Sequence, residues 1–425
     1  MAKRKNPSAA NAKRNSVRKK ASSGNRGAKK NSASRKKQPA RGSLKKSSAE
    51  KTKRINSANS PPGRSTTNQS RKKSTGSRKR GAVLITGVMG FIGSNIAMKL
   101  AGRGPVIGLD RVDIASLPPE HPLQKRYNQL KRAGVEYVQG DLGDPMLPEK
   151  LEPHLRKCRA VIHTAAPVKE RGPLEDFRAI NVEATLALAR KSMQAGVQKW
   201  VQFSSVMVYG FHYPPNVSET GPLRGDGNPY CITKIESEHA LLGLQGGSME
   251  IVILRPGDVY GPGSEPWVVR PLRMMKQKQF LLLDGGRYVI NHVHISHIVQ
   301  SVELALRTAG GQIFNITDGI SSSCREYFGA LASIAGYPEP PSIPSPVARV
   351  GAWFMEVGNS LIMREAQLNR EALKFAMRPH PVDSSRAREV LGLRPTVSLT
   401  QGLDEIRTWL LEERPDLLGP QASQL

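Results

Sequence analysis

The stretch that decides the fold is GAVLITGVMGFIGSNIAMKLAGRGPVIGLDR, Gly81–Arg111. Its first apolar run, Ala82–Ile85, has the length of a buried strand, and a second apolar run ends at Asp110. Between the two runs, glycines open a segment whose apolar residues recur at helical spacing. The glycines of this turn are Gly87, Gly90 and Gly93. The pattern predicts a strand, a glycine-rich turn, a helix and a second strand.

Such a turn suits a dinucleotide cofactor. Because glycine lacks a side chain, the backbone can approach a pyrophosphate, and the free N–H groups of the helix N-terminus face its negative charge. Asp110 can accept hydrogen bonds from the adenosine ribose. Its carboxylate favours NAD because it would repel the 2′-phosphate of NADP, whereas Arg111 beside it could accommodate that phosphate. The sequence therefore predicts NAD and leaves NADP open.

Four further apolar segments continue the alternation of strands and helices. They are VEYVQGDLGD from Val135, AVIHTAAP from Ala160, KWVQFSSVMVYG from Lys199 and EIVILRPGDVYGPG from Glu250. The alternation favours a Rossmann-like α/β fold, a doubly wound parallel sheet with helices on both faces. We expect an NAD-binding domain at 81–257 and a smaller C-terminal substrate-binding lobe at 258–415, interleaved with the Rossmann core.

The spacing TGxxGxxG, closed by FIG, resembles the extended short-chain dehydrogenase/reductase superfamily of the NAD-dependent epimerase/dehydratase type. The resemblance continues along most of the chain after residue 80, through HTAA and through AINVEAT, where Ala184 replaces the usual glycine. It implies cofactor contacts at Gly87, Gly90, Phe91, Ile92, Gly93, Asp110, Arg111, Asp141, Leu142, Ala165, Tyr230, Lys234 and Pro256.

The segment NPYCITKIESE, Asn228–Glu238, places Tyr230 and Lys234 four residues apart, on one face of a helix. Alone, this pattern also fits a half-buried helix with a snorkelling lysine. The resemblance implies a catalytic site in which Ser205, Tyr230 and Lys234 converge on the nicotinamide. Tyr230 would exchange a proton with the substrate oxygen, Ser205 would hold that oxygen, and Lys234 would lower the pKa of Tyr230 and grip the ribose.

Two choices complete the implied site. Ser205 rather than Ser204 matches the family hydroxyl, which lies three residues before the valine of the VYG motif, Val208. Asn181 matches the helix asparagine that supports the site.

The class of substrate is indicated by positions at which this sequence differs from the nucleotide-sugar enzymes of the superfamily. Asp258 stands where those enzymes carry an asparagine that contacts the sugar nucleotide, and Ile290 and Asn291 replace their Arg-Asp pair. The segment Leu368–Leu410 resembles the end of the 3β-hydroxysteroid dehydrogenase-like branch. We expect an oxidoreductase acting on the hydroxyl or carbonyl of a bulky apolar, sterol- or lipid-like substrate. A nucleotide-sugar epimerase or dehydratase is the alternative.

Residues 1–80 form a basic tail. They contain 27 of the 64 Lys and Arg residues of the chain against one acid, Glu50, and no aromatic residue. Such a segment cannot bury enough apolar surface to offset its ordering entropy, so it is predicted to be disordered. It could bind nucleic acid or an anionic membrane surface, or act as a solubilising extension. A third hypothesis follows, an NAD-sensing protein tethered to polyanions by this tail.

Other features exclude some classes. No run of eighteen apolar residues exists, so no membrane-spanning helix is predicted, and no apolar region follows the basic start, which excludes a secretory signal. Cys158, Cys231 and Cys324 are widely spaced, which excludes a disulfide framework. His292, His294 and His297 lack the acids or cysteines of a metal set, so no metal is expected. The helical pattern over 347–361 fits core or dimer packing, an apolar lid or a membrane-surface helix. We expect an intracellular, cytoplasmic enzyme, with a nucleoid, nuclear or peripheral membrane location and a homodimer left open.

Overall fold

A computed structural model describes residues 81–167, 172–351 and 370–422. The predictions for the basic tail, and for most of the helical pattern over 347–361, fall outside these residues. The strands are β1 Ala82–Thr86, β2 Val106–Asp110, β3 Val135–Gln139, β4 Cys158–His163, β5 Lys199–Phe203, β6 Glu250–Pro256, β7 Asp258–Tyr260, β8 Leu282–Leu283, β9 Val289–Ile290, β10 His292–His294, β11 Gln312–Ile316, β12 Ser322–Ser323 and β13 Ser342–Ile343.

The helices surround these strands. They are α1 Phe91–Ala101, α2 Pro122–Arg132, α3 Leu147–Leu155, α4 Leu174–Arg178, α5 Thr185–Gln194, α6 Pro229–Leu242, α7 Arg270–Lys276, α8 Ile295–Ala305, α9 Cys324–Ile334, α10 at 345–351, α11 Arg370–Ala376 and α12 Leu399–Glu413.

Within the described part of the chain, the main sheet has seven parallel strands in the order β11-β6-β5-β4-β1-β2-β3. The predicted doubly wound parallel sheet is confirmed. The seventh strand, β11, was not predicted, because its sequence QIFNI is short and two of its five residues are polar. It adds to the edge of the sheet beside β6.

Both faces of the sheet are covered, which explains why its strands are continuous apolar runs. In β1, Val83 and Ile85 face a core formed with α1 and α8, while Leu84 faces the opposite core formed with α3, α5 and α6. All five residues of β1 are buried. Side chains thus alternate between two cores along one strand.

The strand order creates the place where a ligand can bind. The chain passes from β1 to β2 and β3 on one side, and then returns to β4 on the other side of β1. In open α/β sheets the crevice at such a switch point, outside the carboxyl ends of the strands, is the binding site. Here it lies between the loops that follow Thr86 and His163.

The remaining elements pack beyond the sheet. The short pairs are β7 with β10, β8 with β13, and β9 with β12. Helices α7, α9 and α12 enclose an apolar cluster that includes Leu272, Tyr327 and Ile406. Among the residues that the structure describes, no helix is long and apolar enough to cross a membrane.

Candidate active site

The glycine turn requires glycine at its first and third positions. Gly87 has φ +70°, a conformation that L side chains rarely adopt. A Cβ added to Gly93 would lie 2.3 Å from the carbonyl oxygen of Gly87. The helix α1 begins directly after Gly90, so Phe91 and Ile92 form its first turn. The backbone is therefore open where a pyrophosphate would approach.

The end of β4 is tied to this turn. The Thr164 hydroxyl donates to the Thr86 carbonyl at 2.6 Å, and the Ala165 N–H donates to the Thr86 hydroxyl at 3.2 Å. A Cβ on Gly87 would lie 3.0 Å from the Ala165 nitrogen. The structure thus brings Ala165 beside the glycine turn, across the switch point.

The carboxylate of Asp110 lies at the adjacent end of β2. It accepts hydrogen bonds from the N–H of Met89 at 2.9 Å and of Val112 at 3.3 Å. Arg111, which follows, is exposed. A residue that the sequence did not single out, Arg126, donates to the Met89 carbonyl at 2.7 Å. Burial lowers the pKa of Arg126, while the charge of Asp110 raises it.

Asp141 and Leu142 follow the next strand, β3. The Asp141 carboxylate accepts from the N–H of Gly143 at 2.9 Å and is exposed, while Leu142 packs against the core. The glycine turn and two carboxylates therefore lie side by side at the carboxyl ends of β1, β2 and β3. This set fits a dinucleotide: a cradle without side chains, a helix N-terminus and acceptors for ribose hydroxyls.

The start of α6 positions the tyrosine and the lysine. The Asn228 side chain caps the helix by accepting from the N–H groups of Tyr230 at 3.0 Å and Cys231 at 3.2 Å. Lys234, one turn on, has its ammonium nitrogen 5.8 Å from the centroid of the Tyr230 ring. The same ammonium donates to the carbonyl of Phe203, the last residue of β5, at 2.9 Å.

Ser205 faces the tyrosine. Its hydroxyl forms a hydrogen bond with the Tyr230 phenol and accepts from the N–H of Met207 at 3.2 Å. Ser204, by contrast, has a buried hydroxyl without a hydrogen-bond partner in the described part of the chain. The structure thus brings Ser205, Tyr230 and Lys234 together at the carboxyl end of β5.

Burial controls the proton affinities of this group. It raises the pKa of Tyr230 to about 12, and the hydrogen bond from Ser205 offsets only part of that rise. Burial also lowers the pKa of Lys234 to about 8, against the charge of Glu238, which raises it. The sequence predicted that Lys234 lowers the pKa of Tyr230, but in the structure burial dominates and the lowering influence comes from Ser205. At neutral pH the phenol therefore keeps its proton.

Asn181 lies on a widened turn of helix, Ala179–Ala184, with the i→i+5 bonding of a π-helix. Its amide nitrogen donates to the hydroxyl of Thr233 at 3.0 Å. Its amide oxygen is buried and has no partner among the described residues. Asn181 therefore contacts α6 between Tyr230 and Lys234.

Pro256 ends β6, next to a buried ion pair that the sequence did not reveal. Arg255 donates to both carboxylate oxygens of Glu238, at 2.9 and 2.5 Å, and to the hydroxyl of Tyr209 at 2.8 Å. Glu238 lies one helical turn after Lys234. The spacing Tyr230, Lys234, Glu238 is the signal that could have indicated it.

The other side of Tyr230 is apolar. Met207, Phe211 and Cys231 form a buried cluster against which Tyr230 and Phe375 pack. The rings of Phe211 and Phe375 meet edge to face, with centroids 5.1 Å apart. Phe375, from α11, was not predicted because it lies more than 140 residues from Tyr230 in the chain.

Two of the three positions that depart from the nucleotide-sugar pattern, Asp258 and Asn291, form hydrogen bonds within the chain. Asp258 accepts from the N–H of Asn291 and from the guanidinium of Arg378, both at 2.7 Å. The Asn291 side chain in turn accepts from the N–H of Val382 at 2.8 Å. Both side chains therefore bind the chain's own C-terminal part.

His297 also has a structural role. Its Nδ1 lies 2.6 Å from a carboxylate oxygen of Asp318, and its Nε2 accepts from the N–H groups of Thr396 and Val397 at 2.9 and 3.1 Å. His297 therefore connects α8 with the segment that precedes α12.

Comparisons with known proteins agree with this geometry. The family model described as "NAD dependent epimerase/dehydratase family" matches residues 83–317. A ketoreductase of Stigmatella aurantiaca, named for 4-hydroxy-2-methyl-3-oxo-4-farnesyl-3,4-dihydroquinoline-1-oxide, is 27% identical over 76% of this chain and 95% of its own. A UDP-glucose 4-epimerase of Mycolicibacterium smegmatis is 29% identical over 75% and 95%.

Sterol enzymes and solved structures are also similar. The sterol-4-alpha-carboxylate 3-dehydrogenase, decarboxylating, of Candida albicans is 24% identical over 78% of this chain and 98% of its own. The structure described as "MoeE5 in complex with UDP-glucose and NAD" is 25% identical, covers 78% of this chain and 99% of its own, and has a TM-score of 0.60.

The family match covers more than half of the chain and includes the glycine turn, Ser205, Tyr230 and Lys234. The predictions of an enzyme of the extended short-chain dehydrogenase/reductase superfamily and of NAD as its cofactor are confirmed at the level of the family. The chain belongs to the NAD-dependent epimerase/dehydratase family.

Proposed function

We propose that this enzyme is an NAD-dependent dehydrogenase or reductase that acts on the hydroxyl or carbonyl of a bulky apolar substrate, sterol- or lipid-like in character. The observation that carries the proposal is the apolar surroundings of Tyr230, which packs against a cluster that contains Met207, Phe211 and Phe375. A substrate that brings its oxygen to Tyr230 would place its body against these side chains. Burying an apolar body there is favourable.

The polar groups of the site have separate tasks. Tyr230, which keeps its proton at neutral pH, would donate it to a substrate carbonyl oxygen and become tyrosinate. In the reverse direction the tyrosinate would take a proton from the substrate hydroxyl. Ser205 would hold the same oxygen by a hydrogen bond. Lys234, anchored on the Phe203 carbonyl, would bind the cofactor ribose and stabilise negative charge on Tyr230.

The cofactor would lie across the carboxyl ends of the strands of the main sheet. Gly87, Gly90 and Gly93, with the first turn of α1, would hold its pyrophosphate, and Asp110 would accept from its adenosine ribose. When bound, NAD accepts or supplies the hydride. Ala165 and Pro256 would flank the nicotinamide end of the site. Phe91, Ile92, Arg111, Asp141 and Leu142 are proposed as contacts along the rest of the cofactor.

Named relatives support an apolar substrate. Besides the farnesyl-quinoline ketoreductase and the Candida albicans sterol enzyme, a 2-alkyl-3-oxoalkanoate reductase of Stenotrophomonas maltophilia is 26% identical over 76% of this chain. Each of these names describes oxidation or reduction on a molecule with a large apolar part. The occupied positions Asp258 and Asn291 support the same proposal.

The experiment is a substrate panel followed by NADH absorbance at 340 nm. Sterols and long-chain hydroxy compounds with NAD are compared with UDP-glucose and UDP-galactose with NAD. We expect net NADH from an apolar alcohol and none from the UDP-sugars. An enzyme that binds NAD but yields no NADH from any apolar alcohol, and no NADH consumption with the matching ketones, would contradict the proposal.

A nucleotide-sugar epimerase is the second candidate. It is favoured by the relative from Mycolicibacterium smegmatis, whose printed activity is UDP-glucose 4-epimerase. An epimerase returns the hydride to its substrate, so it would produce no net NADH. Chromatography of the same UDP-sugar samples would detect it as interconversion of UDP-glucose and UDP-galactose.

The basic tail allows a further hypothesis, an NAD-sensing enzyme or protein tethered to a polyanion. Residues 1–80 would bind nucleic acid or an anionic membrane surface by charge alone, so the binding would weaken as salt rises. Retention of the full chain on DNA or on anionic vesicles, measured between low and high salt, tests this. A cytoplasmic location and a homodimer remain proposals, tested by fractionation and by light scattering.

A further inference from the structure

A chain of hydrogen bonds passes through the buried imidazole of His163, the last residue of β4. The residue is 1% exposed, and its ring stacks on that of Trp200 with the centroids 5.3 Å apart. Its Nδ1 lies 2.9 Å from the hydroxyl oxygen of Thr86, and its Nε2 lies 3.0 Å from that of Thr185. One ring thus bridges the end of β1 and the start of α5.

The partners of the two hydroxyls fix the direction of each bond. The Thr185 hydroxyl donates its proton to the Ile180 carbonyl at 3.1 Å, so its oxygen accepts from the Nε2–H of His163. Burial, and to a smaller extent the charge of Lys234, lowers the pKa of His163 to about 3, so the ring is neutral. A neutral ring with its proton on Nε2 accepts at Nδ1, and the Thr86 hydroxyl therefore donates to it.

One end of the chain is the glycine turn. Thr86 directly precedes Gly87, and its hydroxyl oxygen also accepts from the N–H of Ala165 at 3.2 Å. Gly87 has φ +70° and lies where the backbone is open to a pyrophosphate. A shift of the Thr86 side chain would therefore move the backbone that would receive the cofactor.

The other end is the widened turn Ala179–Ala184. Ile180, whose carbonyl accepts from Thr185, is followed by Asn181. The amide nitrogen of Asn181 donates to the hydroxyl of Thr233 at 3.0 Å, inside helix α6. Thr233 lies directly before the lysine of the catalytic group, so this end of the chain supports the helix on which the chemistry depends.

We propose that His163 is a positioning residue that couples the glycine turn to the turn that carries Asn181, with each ring nitrogen serving one end. Nδ1 holds the turn that receives the cofactor, and Nε2 holds the turn that supports the tyrosine and the lysine. The ring acts through these turns and transfers no proton, because both of its nitrogens are engaged. The proposal is independent of the identity of the substrate.

The two nitrogens can be tested separately, because the amides of asparagine and glutamine each replace one of them. His163→Asn keeps a polar group near the position of Nδ1 and leaves none at Nε2, whereas His163→Gln does the reverse. NADH affinity is measured by fluorescence titration of the full chain, and kcat on whichever substrate the panel identifies. Cys158→Ala is the control, since it shortens a buried side chain at the other end of the same strand.

The two variants should show opposite patterns. We expect His163→Asn to bind NADH like the wild type and to lose about fivefold or more in kcat, because the Asn181 turn loses its hydrogen bond. His163→Gln should bind NADH about fivefold or more weakly and keep a kcat near that of the wild type at saturating cofactor. Cys158→Ala should match the wild type in both measurements.

A ring that only fills space would give a different result. Equal NADH affinities of His163→Asn and His163→Gln, whether both weakened or both unchanged, would overturn the proposal. This comparison needs no substrate, so it decides the question even if every compound of the panel fails, and its outcome leaves the proposed function untouched.

The thermal transition of each variant reports its folding. If a histidine variant does not fold, Thr86→Val and Thr185→Val answer the same question, since each removes one hydroxyl of the chain and nearly keeps the shape of the side chain. Thr86→Val should weaken NADH binding, whereas Thr185→Val should leave it unchanged. Equal NADH affinities of these two variants would likewise overturn the coupling.

Discussion

At the scale of single residues, the site separates into what local spacing indicates and what only the fold brings together. Spacing in the sequence was enough to find Gly87, Gly93, Tyr230 and Lys234, because each belongs to a motif whose members lie only a few residues apart. Phe375 and Arg378 could not be found that way. Their contacts with Phe211 and Asp258 join parts of the chain that are more than 100 residues apart, and a single sequence carries no signal for such a contact.

The glycine turn gives a prediction at this scale. Replacing Gly93 by Ala adds a Cβ that would lie 2.3 Å from the Gly87 carbonyl oxygen, which is backbone and cannot swing aside. We expect the KM for NAD to rise at least about tenfold and the free energy of unfolding to fall by about 1–3 kcal/mol. Steady-state kinetics with varied NAD and urea unfolding measure the two effects.

Gly102→Ala is the matched control, since it lies at the other end of α1, where the added Cβ would meet only the Lys99 carbonyl at 3.8 Å. This variant should bind NAD like the wild type. Equal NAD kinetics in both variants would argue against a cofactor cradle at Gly93.

At the scale of elements, helix α6 is the part on which the chemistry depends. Its N-cap Asn228 fixes the first turn, and its Lys234 and Glu238 connect that turn to the ends of β5 and β6. The helix and its strand neighbours were predictable from the sequence. The seventh strand and the π-helical turn around Asn181 were not, because short elements of mixed polarity follow tertiary packing rather than local preference.

The cap gives a prediction for the element. Asn228→Ala removes the acceptor for the N–H groups of Tyr230 and Cys231, so we expect the free energy of unfolding to fall by about 1 kcal/mol. The turnover rate should fall as well, because the frayed turn carries Tyr230. Asn228→Ser, which keeps a capping oxygen, should restore most of both.

Ser398→Ala provides the comparison, since it removes the cap of α12, where Ser398 accepts from the N–H of Gln401 at 3.2 Å. We expect a similar loss of stability with no change in turnover. Should Asn228→Ala lose stability and keep full turnover, the cap would have no part in placing the tyrosine.

At the scale of the whole molecule, positive charge is distributed unevenly along the chain. The net charge of +29 is concentrated in residues 1–80, whereas the catalytic group lies in a nearly balanced folded part. The folded part also contains buried neutral histidines, which make its stability depend on pH. Burial lowers the pKa of His163 to about 3 and that of His294 to about 4.

The sign of this dependence follows from proton uptake. Below about pH 6.5 the unfolded chain protonates both histidines, whereas the folded enzyme leaves them neutral, so the unfolded state binds more protons. We expect the free energy of unfolding to decrease as pH falls from 7 to 5.5, by about 1 kcal/mol for each histidine. Urea unfolding at both pH values measures it.

Histidine variants test the assignment. His163→Asn should reduce the pH dependence, whereas His212→Gln, at an exposed position, should leave it unchanged. If the free energy of unfolding stays constant or increases as pH falls from 7 to 5.5, the fold does not hold the two imidazole rings neutral.

The central claim is that the Tyr230 phenol moves the proton for an NAD-dependent oxidation or reduction, and the most direct measurement is the turnover of Tyr230→Phe. Once the panel identifies a substrate, kcat is measured at 340 nm for the wild type, for Tyr230→Phe and for Tyr337→Phe. Tyr337→Phe removes a phenol whose hydroxyl donates to the Leu417 carbonyl, within the C-terminal part of the fold. NAD affinity is measured on the same samples.

We expect kcat to fall by at least about 100-fold in Tyr230→Phe, with NAD affinity nearly unchanged, and to stay near the wild-type value in Tyr337→Phe. Turnover of Tyr230→Phe equal to that of the wild type would contradict the account.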